Sequence, residues 1–154
     1  MNPDKMTHKA SEALQDAQRV AIENGQQAVE SWHLLLVLTE QPDGVVRPIL
    51  DKIGVDVATF GAELKAQVAR LPKVQGGHTY MGGSLSALLT QGQAHTDRLQ
   101  DDYLSTEHLL LAASGEQAPS ASILRRHGIT TDSILQALEA VRGSHRVTDQ
   151  SPEN

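Results

Sequence analysis

Ser31-Trp32-His33-Leu34-Leu35-Leu36-Val37-Leu38 and Thr106-Glu107-His108-Leu109-Leu110-Leu111-Ala112-Ala113 are one pattern written twice, 75 residues apart. Each copy opens on a hydroxyl residue, passes one step to a histidine, and then runs apolar without alternation. A run that is apolar on every side belongs to an element surrounded by protein, not to a surface helix. Repetition at a fixed period is the signature of a duplicated unit.

The repeat reaches outward from there. At the same offset Ala10, Ala13, Leu14 and Ala17 fall on Leu85, Leu88, Leu89 and Gly92, and Val29 falls on Leu104. Further on, Leu50 to Asp56 matches Leu124 to Thr130 at an offset of 74, after one deletion. Two halves with the same order of elements predict two copies of one helical unit, residues 7–70 and 84–143, joined by a linker at 71–83. Two copies are too few for a solenoid, so the expected form is a single pseudo-twofold, all-α domain of eight helices.

The helix boundaries follow from caps and spacing. The first helix runs from about Thr7, an N-cap residue, to Asn24-Gly25, a C-terminal stop; its buried stripe is Ala10, Ala13, Leu14, Ala17, Val20 and Ala21. The second spans Ser31 to Glu40. Gln41-Pro42-Asp43-Gly44 is a turn. The third, about Val45 to Ile53, carries Pro48 early, where a missing N–H is tolerated. Asp56 caps the fourth, with Phe60, Leu64, Val68 and Leu71 inward. The linker holds four glycines and a proline, so a mobile loop is expected. The fifth helix runs from Ser84 to about Leu99, Ser105 caps the sixth, Pro119 opens the seventh, and Thr130 caps the eighth, with Ile134, Leu135, Leu138 and Val141 inward. The polar tail 144–154 reads as a flexible linker.

Composition bounds the function. At 154 residues the chain is one domain's worth, able to bury about two-thirds of its unfolded surface. Cysteine is absent, which excludes a disulfide framework and a thiol nucleophile. A net charge of -6 argues against a nucleic-acid footprint. The longest apolar run is far short of the ~20 residues that span a bilayer, and Met1 to Lys9 lacks the apolar core of a signal peptide. A soluble protein of a reducing, cytoplasmic compartment is expected. No Gly-x-x-x-x-Gly-Lys-Ser/Thr occurs, so the chain has no phosphate-cradling loop and is not itself an ATPase. Gly-x-Ser-x-Gly is absent too, and no enzyme activity, metal or cofactor is expected of it.

The doubled motif, Arg70-Leu71-Pro72-Lys73-Val74, and the tail Arg146-Val147-Thr148-Asp149-Gln150-Ser151-Pro152-Glu153 resemble the N-terminal domain of the Clp/Hsp100 chaperones, most closely that of the ClpB-type disaggregases. The resemblance covers essentially the whole chain. It implies a substrate-recruiting domain that binds unfolded or aggregated polypeptide weakly. It also implies a hexameric ATPase ring, using ATP and Mg, encoded beyond residue 154, and cooperation of the full protein with an Hsp70-type system. The isolated domain is expected to be a monomer. Docking a folded adaptor, as in ClpA- and ClpC-type domains, and a free-standing regulatory role are the alternatives.

Several residues invite a role. His33 and His108 hold equivalent places; with one histidine per copy and no second ligand on the same helix face, a capping or core-edge role outweighs metal binding. Asp101 and Glu107 have two readings: a solvated loop and helix-dipole complementation, or an acidic rim that meets basic client side chains. The resemblance assigns functional weight to Thr7, Asp101 and Glu107. In ClpC-type relatives a glutamate before each motif histidine helps bind phosphorylated arginine; the first copy here has Trp32 instead, which argues against that ligand. Trp32 is read first as core, second as an exposed contact. Leu85, Leu88 and Leu89 are candidates for an apolar client groove, and equally for the buried stripe.

Overall fold

The structure, a computed structural model, describes residues 3–143 and 145–152. After a short 3-10 turn at Pro3–Lys5 come α1 (His8–Glu23), β1 (Ala28–Val29), α2 (Ser31–Glu40), α3 (Val46–Ile53) and α4 (Val57–Arg70). The second half holds β2 (Tyr80–Met81), α5 (Gly83–Arg98), α6 (Thr106–Ala113), α7 (Ala121–Arg126) and α8 (Thr131–Arg142). Among the described residues the eight α-helices fall in two runs of four, as the repeat requires. Local chemistry sets their ends. Thr7 accepts a hydrogen bond from the Ala10 amide, Asp56 from Thr59, and Thr130 from Ser133, each meeting an N–H that the helix cannot. Gly54, at φ 91°, closes α3 in the left-handed region that a side chain disfavours.

The core sits around α2 and α6. Every residue from His33 to Thr39, and every residue of α6, is buried. α2 packs on α1 and α4, and α6 on α5 and α8. The halves also exchange elements: α3 of the first lies on α8 of the second. In return, His127 just past α7 packs its ring at a tilt of 59° against Phe60 of α4, centroids 5.2 Å apart, while Arg126 pairs with Glu63 at 3.2 Å. α5 comes close to α6 because Gly92 stands at the crossing. A Cβ there would lie 3.1 Å from both Leu104 Cδ1 and Leu109 Cδ2.

Four features depart from the sequence reading. First, the glycine-rich linker is tied down. β2 pairs in parallel with β1, Tyr80 opposite Ala28 and Met81 opposite Val29, and the Val74 amide donates to Gly25 O at 3.0 Å. Met6 makes the matching bridge to Leu104. Each lead-in segment therefore pairs with the other half's segment ahead of its buried helix, and Met6 and Met81 are themselves 75 residues apart. Second, α7 begins at Ala121, because residues 115–120 form turns after α6. Third, Leu135 points outward at 38% exposure, and Ala137 takes the inward place; α8 turns the flank that meets α3 and α6. Fourth, the described part of the tail is not free: Val147 is buried and hydrogen-bonded to the domain. Ser144 and the last two residues lie outside the described set.

Candidate functional site

The two motif histidines do the same local work. The Glu30 amide donates to His33 Nδ1 at 2.9 Å, and the Ser105 amide to His108 Nδ1 at 2.8 Å. Each ring thus reaches back three residues to a backbone N–H ahead of its helix. With Nδ1 accepting, the ring proton sits on Nε2. His33 Nε2 gives it to Gln26 Oε1, and His108 Nε2 to Asp101 Oδ2, both at 2.6 Å. Both nitrogens of each ring are engaged in the fold. Burial pushes the His33 pKa down, against the pull of Glu30.

Gln26 and Asp101 are repeat partners, and their difference separates the halves. Gln26 is neutral and passes its amide protons to the carbonyls of Val68 (2.6 Å) and Leu71 (3.3 Å). Asp101 is an ion at 7% exposure, and it needs positive partners. Arg142 supplies them, with Nη2 at 2.9 Å from Asp101 Oδ2 and Nη1 at 3.0 Å from Glu107 Oε2. The Val147 amide adds a hydrogen bond to Asp101 Oδ1 at 2.9 Å. Burial acts to raise the Asp101 pKa, but the bonds from His108, Val147 and Arg142 outweigh it and hold the group below its usual value.

The acidic rim is therefore corrected. Asp101 and Glu107 are both buried, and their charge is spent on Arg142 rather than offered to a client. Glu107 Oε1 is buried with no hydrogen-bond partner among the described residues. Thr7 is buried as well; it caps α1, and its amide donates to Leu104 O at 2.9 Å. Thr7 thereby joins the Asp101–Glu107 segment, so the structure brings these three residues to one place. Trp32, at the position of Glu107 in the first copy, is half-buried against the core.

Leu85, Leu88 and Leu89 face inward, each at 4% exposure or less. An exposed leucine groove is corrected on that ground: α5 has one apolar stripe, and packing on α6 consumes it. Two of the three still border hollows. Leu88 lies in the wall of a cavity of about 270 Å³ between α5, the start of α2 and residues 115–119. Ser31, Ser84, Ala87, Gln91 and His95, with Ala112 of α6, complete its helical walls. The Ser31 hydroxyl is buried without a hydrogen-bond partner among the described residues. Leu85 lies in a second hollow, of about 260 Å³, beside Leu14, Tyr80 and Met81. Tyr80 and Met81 stand 59% and 51% exposed.

The repeat-equivalent seam of the other half is bridged by hydrogen bonds. There, Gln41 in the loop after α2 donates to Lys9 O of α1 at 3.0 Å, and Lys9 Nζ reaches Pro42 O at 3.5 Å. Across the open seam, no hydrogen bond among the described residues joins α5 to residues 115–119. Sequence reasoning missed Ala87, Gln91 and His95. The signal was present: positions 84, 87, 88, 91 and 95 share one helix face beside the apolar stripe, with a small residue at its middle.

Residues 5–127 match the family described as Clp repeat (R) N-terminal domain. The chaperone protein ClpB of Bacillus anthracis is 37% identical over 158 residues, covering 99% of this chain and 18% of that protein. A ClpB of Nostoc sp. is 38% identical over 154 residues, with the same coverage. The chain thus spans under a fifth of the length of the curated relatives it matches. Among solved structures, the Hsp104 N-terminal domain from Candida albicans superimposes with a TM-score of 0.84 at 16% identity, covering 97% of this chain and 99% of that one. The ClpV N-domain in complex with a VipB peptide gives a TM-score of 0.71 at 22% identity, covering 89% and 86%. At these identities the two structures speak for the fold.

Proposed function

The chain belongs to the Clp repeat N-terminal domain family, and from that premise we propose that it recruits unfolded or aggregated polypeptide for a ClpB-type disaggregase. The family match is to a non-catalytic domain of an ATPase, and this chain has no Walker motif. On this reading the ring, its ATP and Mg, its hexameric assembly and its work with an Hsp70-type system belong to the remainder of a longer protein. The domain contributes capture alone.

The observation that carries the reading is the cavity beside α5. Its walls are mostly apolar, through Ala87, Leu88, Ala112, Ala118 and Pro119. Its size suits one or two client side chains, and the equivalent seam in the other half is bridged by Gln41. Apolar surface edged by the polar side chains of Ser84, Gln91, His95, Glu116 and Gln117 can take many client side chains without strict geometry, and so weakly, as a recruiter must. Leu88 acts from the wall, while Thr7, Asp101 and Glu107 hold the frame. That a ClpV N-domain of this fold takes a peptide agrees with a polypeptide ligand.

The test is an NMR titration with casein as the unfolded client. Fast-exchange shifts confined to α5 and residues 115–119 are expected. Ala87→Glu, which puts a charge at an exposed position of the wall, should weaken binding at least about tenfold, since an uncompensated charge resists desolvation. Absence of shifts at high casein concentration refutes the capture reading. The other reading, docking of a folded adaptor, draws on the exposed Tyr80 and Met81; saturable shifts centred there instead of on α5 would replace it.

A further inference from the structure

Residues 145–151 make an unusual set of contacts for a tail. Val147 is the one apolar side chain among them, and it is buried. Its amide donates to Asp101 Oδ1 at 2.9 Å, and its carbonyl accepts from the Asp102 amide at 2.8 Å. Three residues on, Gln150 O accepts from the His8 amide at 2.7 Å, and Gln150 Nε2 donates to Asp4 O at 3.0 Å. Ser151 Oγ lies 2.9 Å from His8 Nδ1. The His8 amide is a first-turn N–H of α1, with no partner in its own helix. The segment thus crosses from the buried Asp101 carboxylate to the start of α1.

Gln150 Nε2 also reaches Met6 O at 3.4 Å, and the His145 amide donates to Arg142 O at 3.2 Å. His145, Arg146, Thr148 and Asp149 are exposed. One buried valine and a few hydrogen bonds stand against the conformational entropy of seven ordered residues, and these opposing contributions are of the same size. A contact so balanced opens and closes.

We propose that residues 145–151 are a detachable strap, seated by Val147 on the Asp101 carboxylate and by Gln150 on the first turn of α1, whose release lengthens the tether to whatever follows the domain. Seven extended residues add about 24 Å of reach. Asp101 is then a positioning residue for the strap, which gives the buried Asp101–Arg142 pair a purpose that the neutral Gln26 of the other half lacks. The proposal does not depend on the client cavity, which lies on the α5 side.

Amide hydrogen exchange on the full chain tests it. The Asp102 and His8 amides donate to the strap, whereas those of Leu110 and Leu111 lie in α6. Asp102 and His8 should exchange together, at least about tenfold slower than unprotected amides and at least about a hundredfold faster than Leu110. Val147→Pro removes the donor to Asp101 without touching a helix, and Gln150→Ala removes the side-chain bonds to Asp4 O and Met6 O that help seat the other end, leaving residue 150 only its backbone carbonyl against His8. Each variant should accelerate both reporter amides at least about fivefold and leave α6 unchanged. Protection equal to that of Leu110 would make the strap a permanent part of the fold and overturn the proposal. So would unprotected Asp102 and His8 in the unaltered chain, or a Gln150→Ala effect confined to His8.

Discussion

Replacing Arg142 with Met tests the account of the polar centre. Methionine keeps most of the aliphatic stem and removes only the guanidinium. Asp101 and Glu107 would then be two buried carboxylates without a counter-ion, at 7% and 2% exposure. Breaking a buried pair by removing one partner costs about 3–5 kcal/mol. Arg142 retains 16% side-chain exposure, and Asp101 keeps the bonds from His108 and Val147, so the lower end applies, about 3 kcal/mol. For a domain of this size that is a fall of about 6–12 °C in Tm. Urea and thermal denaturation followed by circular dichroism at 222 nm would read it. A second background sharpens the result. With Asp101→Asn and Glu107→Gln in place the carboxylates are gone, and the added cost of Arg142→Met should drop by at least about 1.5 kcal/mol. A loss below about 1 kcal/mol in the original chain, or an equal loss in both backgrounds, would refute the claim that Arg142 is there to neutralise the pair.

Acid should act first through His33. Its pKa is lowered by burial, so its contribution is complete above the ordinary histidine value of 6.5 and is lost as pH falls below it. His95, also lowered by burial and by Arg98, adds with the same sign. Midpoints of urea unfolding at pH 7.5 and 5.5 should show the drop, and a His33→Gln chain with an undiminished slope would contradict it. Asp101 follows at lower pH: with its pKa depressed, its stabilisation holds above the usual carboxylate value of 3.8 and disappears as pH falls through the folded value. Gly92→Val should cost about 1–3 kcal/mol by overpacking against Leu104 and Leu109; unchanged stability would mean that α5 does not approach α6 as described. Phe60→Ala, in the fully buried ring that seats His127, should cost about 3–5 kcal/mol in the same assay, and a loss under about 1 kcal/mol would deny the exchange of elements between the halves.

Much of this protein is settled by local chemistry. The helices could be read because their signals lie within a few residues: Thr7, Asp56 and Thr130 as caps, Gly54 as a stop, and three- and four-residue spacing for the stripes. The buried character of α2 and α6 was equally plain, since an all-apolar turn has no face to give to water. The duplication, and with it the fold class and family, followed from the same letters.

What the sequence left open depends on partners far along the chain. Asp101 could be a solvated loop residue or an exposed acid until Arg142, 41 residues away, was seen to neutralise it. The two-residue strands have no periodicity of their own; pairing of Val29 with Met81 creates them. Leu88 carries the spacing of a core residue and is one, yet it also faces a cavity, because Gln41 bridges the seam in one half and residues 115–119 leave it open in the other. Backbone geometry repeats along a chain and so can be read from it, whereas the neutralisation of a charge, the pairing of an edge and the filling of a gap are decided where distant segments meet.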